Sequence, residues 1–276
     1  MAGDGNTGRD TVGRMDVATA LGTYLDIVDS AAPGLVEGLY VVGSYALGDW
    51  VEGTSDIDIV AVTADPATDD DFGSLRTVHA LLTERQPLPH IDGPYLAWGD
   101  LVVEPATGLH RPWSLEGSPH HDGDCFEINP ITWYVLQRYG VTVRGPRLER
   151  LDIPIDIDAR VRFVVGNLQS YWRGISNNIA AACTVDTPPA WSDESLQWSA
   201  LGALRLHYTA FTGDVISKRG AGEYGLQVAP AEFHHVLRRA LGLRAGTETP
   251  GVVNTDEMAT AAALIAWCID DVSAAG

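Results

Sequence analysis

The chain has 276 residues, enough for one large domain or two modest ones, and its 45% hydrophobic and 20% charged residues match a globular protein with a substantial core. With 18 Lys and Arg against 37 Asp and Glu it carries a net charge of −19. That charge makes double-stranded nucleic acid and anionic membranes poor partners and favours a cationic small molecule. Cys125, Cys183 and Cys268 are far apart and show no Cys/His metal spacing, so free thiols in a cytoplasmic protein are expected.

Taken in chain order, residues 1–16 are polar and Gly-rich, without the apolar run of a secretory signal, and read as a leader. No run reaches the roughly 18 to 20 apolar residues that span a bilayer. Val17, Leu21, Leu25 and Val28 recur at helical spacing over 16–31, and Pro33-Gly34 ends that helix. Residues 38–42 suit a buried strand, Gly43-Ser44 breaks it, and a short helix can start at Tyr45. A second strand is expected over 56–62. Asp69-Asp70-Asp71 then opens an amphipathic helix through 84, since acids suit a first helical turn. A third strand is expected over 91–103, interrupted near Gly99, and 104–124 reads as a loop-rich connection. Asn129-Pro130 opens a helix to about 139, and an extended run follows over 141–144. Beyond it lie helical patterns over 160–182, 196–212, 231–243 and 256–275. Strands crowd the first half and helices the second, which predicts an α/β (α+β) domain over 1–154 and an all-helical domain over 155–276.

The chemistry concentrates in Ser55-Asp56-Ile57-Asp58-Ile59. In a strand, residues two apart share a face, so Asp56 and Asp58 point one way while Ile57 and Ile59 enter the core. Two carboxylates this close repel unless a cation lies between them, and a hard ion such as Mg²⁺, with its oxygen ligands, fits. Gly43-Ser44, directly after a strand, offers backbone N–H groups and a hydroxyl to phosphate oxygens. A phosphate cradle beside a metal site is equipment for chemistry on a nucleoside triphosphate.

Gly43-Ser44, ten residues, then Ser55-Asp56-Ile57-Asp58 resembles the pattern of the nucleotidyltransferase superfamily. The resemblance implies a third acid on a neighbouring strand, matched by Asp92, with Asp100 and Glu104 as alternatives. The strand-rich half followed by helices, the segment 129–146, and Leu204-Arg205, Thr212-Gly213, Ser217-Lys218 and Glu223-Tyr224 are similar to the aminoglycoside 3''/9-O-adenylyltransferases, the streptomycin and spectinomycin resistance enzymes. That family implies metal-dependent transfer of AMP from ATP to a drug hydroxyl. Asp56, Asp58 and Asp92 would hold two Mg²⁺, and Asp92 would also take the acceptor proton. Gly43, Ser44 and Ser55 would contact phosphates. Lys218, with Arg205 and Tyr224, would reach the triphosphate. Trp191, Asp193 and Glu194 would meet a cationic acceptor through carboxylates and a ring face. Alternatives are another small-molecule or protein acceptor, or a catalytically silent nucleotide-binding module. Neither nucleic acid nor membrane is expected as a partner.

Overall fold

The computed structural model describes residues 16–105 and 108–275. The expected leader lies outside the described residues but for Asp16, whose carboxylate caps α1 (Val17–Ala31) by accepting the Thr19 N–H. Then follow β1 (Gly38–Val41), the single turn α2 (Gly43–Ala46), β2 (Ile57–Thr63), α3 (Asp69–Arg85) and β3 (Ile91–Ala97). The turn α4 (Trp98–Leu101), the hairpin β4 (Trp113–Leu115) and β5 (Ser118–His120), α5 (Pro130–Tyr139) and β6 (Val141–Arg144) complete the first half. The helices α6 (Ile157–Asn167), α7 (Arg173–Ala182), α8 (Asp193–Thr212), α9 (Lys218–Val228), α10 (His234–Arg244) and α11 (Thr255–Ala275) build the second. The mixed α/β half and helical half are therefore as the sequence predicts.

Two local expectations change. Residues 98–101 are helical rather than extended, because the Asp100 carboxylate takes the Ala97 N–H and closes a turn there. The stretch 104–124 is not only loop, since β4 and β5 extend the sheet from within it. The six strands run in the order β5-β4-β3-β2-β1-β6, with β2 and β3 parallel and the other neighbours antiparallel.

Alternation along β2 divides the core. Ile57, Ile59 and Ala61 pack on one face with Leu21, Tyr24 and Ile27 of α1 and Leu75 and Val78 of α3. Val60 and Val62 pack on the other with Tyr40 and with Trp133 and Leu136 of α5. Asp58 belongs to this second set, at the end of β2 where the strand leaves the core. α5 starts beside it because the Asn129 side chain accepts the N–H groups of Ile131 and Thr132 and Pro130 fills the first turn.

The helical half has its own core, which includes Leu168, Trp172, Leu201, Leu204, Leu237 and Ile265. α11 corrects the reading that no segment is long and apolar enough to cross a bilayer, since by length and composition it is, with a mean hydropathy of 1.4. Met258, Ala261, Ile265, Cys268 and Ile269 turn that apolar surface into the helical core. The three cysteines are free, two of them buried.

Polar anchors join the halves. The buried Asp49 accepts Arg244 Nε at 3.0 Å and the Arg219 backbone N–H at 3.0 Å. Asp214 accepts the Tyr134 hydroxyl at 2.8 Å, and the Arg160 guanidinium lies 3.8 Å over the Tyr134 ring while bonding the Gly213 carbonyl. Between these anchors a cleft of about 600 Å³ opens from the sheet end to α8, α9 and α10.

Candidate active site

One wall of the cleft is carboxylate. Parallel pairing sets Asp58 of β2 in register with Asp92 of β3, and Asp56 stands just before β2. Gly43 sits against Asp58. Its φ is +56°, and a Cβ there would fall 1.8 Å from Asp58 Oδ2, so only glycine fits. The Ser44 N–H donates to that same oxygen at 3.3 Å. The expected cradle amide at Ser44 is thus directed at Asp58, and the hydroxyl is what Ser44 leaves to the cleft.

Burial, followed by the nearby Asp56 and Asp92 charges, pushes Asp58 up to about 6, against the opposing pull of the Ser44 N–H and Arg205. Asp56 is raised by burial and then by Asp92. Asp92 is raised by burial, while the backbone N–H groups of Gly117 and Glu116 pull it down. Those amides come from the β4–β5 turn, which donates to Asp92 at 2.8 Å from Glu116 and 3.0 Å from Gly117. Both turn residues have positive φ, 50° at Glu116 and 73° at Gly117, the geometry of a two-residue hairpin turn. Asp92 is 4% exposed and does not line the cleft. Asp100, an alternative to Asp92, is bound instead by Arg111 at 2.8 Å.

Gly93-Pro94, awkward for a regular strand, stays within β3. A Cβ on Gly93 would meet the Ile59 carbonyl at 1.9 Å, so glycine permits the close β2–β3 approach that brings Asp92 near Asp58.

Sequence reasoning missed Glu127. It lines the cleft just before α5, and its buried Oε2 has no hydrogen-bond partner among the described residues. Burial, then repulsion from Asp58 and Asp92, raises its carboxyl well above the usual range. It lies in the Pro- and Gly-rich stretch before Asn129, where no periodicity marks a side chain's direction.

The facing wall is cationic. Arg205 projects from α8 with Nε donating to the Ile216 carbonyl, leaving the guanidinium toward Asp58. Lys218 is the first residue of α9, set by Ser217, whose hydroxyl caps the helix by accepting the Gly220 N–H. Burial first, then Arg205 and Arg244, lower Lys218. Arg244, in the last turn of α10, was also missed, and it reaches the cleft because Asp49 holds its Nε.

Of the other expected residues, Gly43, Ser44, Ser55 and Glu194 line the cleft with these walls. The Ser55 hydroxyl accepts the Val51 N–H and keeps its own proton to donate. Three expected residues lie elsewhere. The Tyr224 hydroxyl is bonded to His207 Nδ1 at 2.9 Å, within the helical half. Asp193 accepts the Gly251 N–H and pairs with Arg239. Trp191 bridges to Val253 and lines a separate, more apolar pocket of about 520 Å³ between α7 and α8. The physical reason is helix phase: with Ser192 as N-cap, Glu194 faces the cleft while Asp193 turns toward α10 and the Gly251 loop.

Opposed carboxylate and cationic walls, one built on Gly-Ser and Asp-x-Asp, form the framework of a nucleotide-handling site. Residues 21–92 match the family model of the nucleotidyltransferase domain. Residues 168–267 match that of the aminoglycoside adenylyltransferase C-terminal domain. The chain is an aminoglycoside adenylyltransferase-like nucleotidyltransferase. The fold of the enzyme is similar to that of a spectinomycin adenyltransferase, AAD(9), from Enterococcus faecialis, solved with ATP and spectinomycin. That match has a TM-score of 0.65 and 17% identity, and it covers 94% of this chain and 100% of the other. Among curated proteins, none matches the enzyme in sequence.

Proposed function

We propose that the enzyme transfers AMP from ATP to a hydroxyl of an aminoglycoside or aminocyclitol antibiotic. The observation that carries the reading is the facing of the two walls: Asp56, Asp58 and Glu127 on one side, Arg205, Lys218 and Arg244 on the other. A triphosphate bridging them would set its leaving pyrophosphate against the cations and its α-phosphate near the carboxylates.

The donor set fits divalent cations. Clustered carboxylates, a Glu127 oxygen buried without a partner, and an Asp58 raised to about 6 are the marks of anions that lack a counter-charge. Asp56, Asp58 and Asp92 would hold such ions, which when bound neutralise triphosphate charge and lower the pKa of an attacking hydroxyl. The chain's own residues do the rest. Ser44 and Ser55 offer hydroxyls to phosphate oxygens. Lys218 and Arg205 would stabilise charge building on pyrophosphate. Glu127, a cleft carboxylate whose buried Oε2 accepts no hydrogen bond among the described residues, would take the acceptor proton, while Asp92, each of whose oxygens accepts a backbone amide, serves the metal. Glu194, at the mouth, would meet an ammonium of the acceptor.

A second reading of the acceptor draws on one observation. The pocket lined by Ile175, Ile179, Trp191 and Met258 adjoins the cleft through Glu194 and Trp198, and its lining suits an apolar group that those polar drugs lack. The deciding experiment is AMP transfer from labelled ATP to a panel containing spectinomycin, streptomycin and hydroxyl acceptors with apolar substituents. Transfer to a drug, lost in Lys218→Ala, is the expected result. Transfer only to the apolar acceptors would select the second reading, and no transfer would overturn both.

A further inference from the structure

We propose that Asp56, His90 and Asp92 form a mixed nitrogen–oxygen site for a divalent metal ion, with Mn²⁺ preferred over Mg²⁺. The proposal deepens the metal-dependent reading above by assigning His90, which neither the Asp-x-Asp motif nor the carboxylate wall includes. One ligand atom from each of the three residues lies within 4.8 Å of the others, close enough to share one ion. His90 Nδ1 is 3.6 Å from Asp56 Oδ1.

The backbone holds this arrangement. The His90 carbonyl accepts the Ile57 N–H at 2.9 Å, which pins His90 beside the residue that follows Asp56. The β4–β5 turn steadies the other two sides. Its Glu116 and Gly117 amides take one lone pair from each Asp92 oxygen, leaving the rest for a metal. Gly117 also faces the Cδ2 edge of His90, at 3.4 Å from where a Cβ would stand, so the ring's Nδ1 edge is the one turned to Asp56. Backbone amides that hydrogen-bond a ligating carboxylate, as those of Glu116 and Gly117 do for Asp92, are part of the usual supporting layer of a metal site. Arg205 faces Asp58, so the basic group beside Asp56 and Asp92 is His90 itself. Mg²⁺ demands oxygen ligands, whereas an imidazole nitrogen suits a first-row transition ion.

The test is pulsed electron paramagnetic resonance of Mn²⁺ added to the full chain without nucleotide or acceptor. The expected result is ¹⁴N modulation from a directly bound imidazole. That modulation should vanish in His90→Gln, with Mn²⁺ affinity falling by at least about tenfold, since even partners that only support a ligand are worth about 10- to 100-fold. Asp58→Asn should keep the modulation. Excess Mg²⁺ should fail to displace Mn²⁺ from the wild-type chain and succeed in His90→Gln. Bound Mn²⁺ without nitrogen coupling, coupling that survives His90→Gln, or no binding at millimolar Mn²⁺ would each overturn the site. None of these readings uses turnover. Nitrogen-coupled Mn²⁺ in a chain that transfers no AMP would keep this site and sink the reaction, and the converse result would do the opposite.

Discussion

The two walls of the cleft are built by different means. The anionic wall rests on strands that pair directly: Asp56 and Asp58 flank one strand end, and the matching end of its parallel neighbour sets His90 and Asp92 next to them, outside the cleft lining. Its geometry follows from ladder register and from two glycines, Gly43 and Gly93, that permit close approach. The cationic wall draws Arg205, Lys218 and Arg244 from three helices, each held by a separate contact: the Ile216 carbonyl, the Ser217 cap and Asp49. The first wall is therefore rigid and electrostatically crowded, and the second is assembled only when the helical half docks. The transfer proposed above would need both, because a triphosphate requires its cations and the transferring centre its carboxylates at one distance.

The largest effect should come from the crowded wall. Asp56→Asn and Asp58→Asn are each expected to cut AMP transfer by about 10³ or more, the scale of losing a metal-held transition state, with an unchanged circular dichroism spectrum. Turnover near wild type in either variant would break the contrast, because the cationic wall would then suffice.

Next comes the division of labour within that wall. Glu127→Gln should lower kcat by about 10² to 10⁴, the usual worth of a general base, with KM for ATP little changed. It should also flatten the acid limb of the pH–rate profile. Asp92→Asn should instead weaken metal binding. If Asp92→Asn flattens the acid limb and Glu127→Gln leaves it alone, the proton goes to Asp92 after all.

The smallest expected effect is on stability without metal. Asp58 is raised from 3.8 to about 6 in the folded chain, so the unfolded chain ionises it first as pH climbs. The folded state then binds more protons than the unfolded one, and stability should fall as pH rises through roughly 4 to 6. The lost part is about 1 to 3 kcal/mol, fully present below pH 4 and gone above 6. Thermal melts in chelator should show this slope, and Asp58→Asn should remove it and melt higher at pH 7. A slope that persists in the variant would place the crowding on Asp56 or Glu127 instead.

The reach of sequence reasoning follows the same division. Asp56, Asp58, Gly43 and Ser44 were legible because strand alternation and the backbone freedom of glycine act over a few residues. The helix opening at Asn129-Pro130 was legible for a similar reason, since a cap and a first-turn proline act locally. Glu127, two residues earlier, was not, because no local rule says where a side chain in an aperiodic stretch will point. His90 gave no signal either. It becomes interesting only when β3 lies parallel to β2 and sets it beside Asp56.

By itself, then, the sequence determined an α/β half carrying the Gly-Ser and Asp-x-Asp motif of a nucleotidyltransferase, a helical half, and a strongly negative net charge. Periodicity, caps and residue spacing are local quantities, and they decide such things. Tertiary structure alone decided which residues share the cleft. It brought in Glu127 and Arg244, turned Asp193 and Tyr224 to internal partners, and closed Asp92 under the β4–β5 turn. Those choices depend on helix phase and on contacts between residues as far apart as Asp49 and Arg244, which a burial pattern along the chain does not encode.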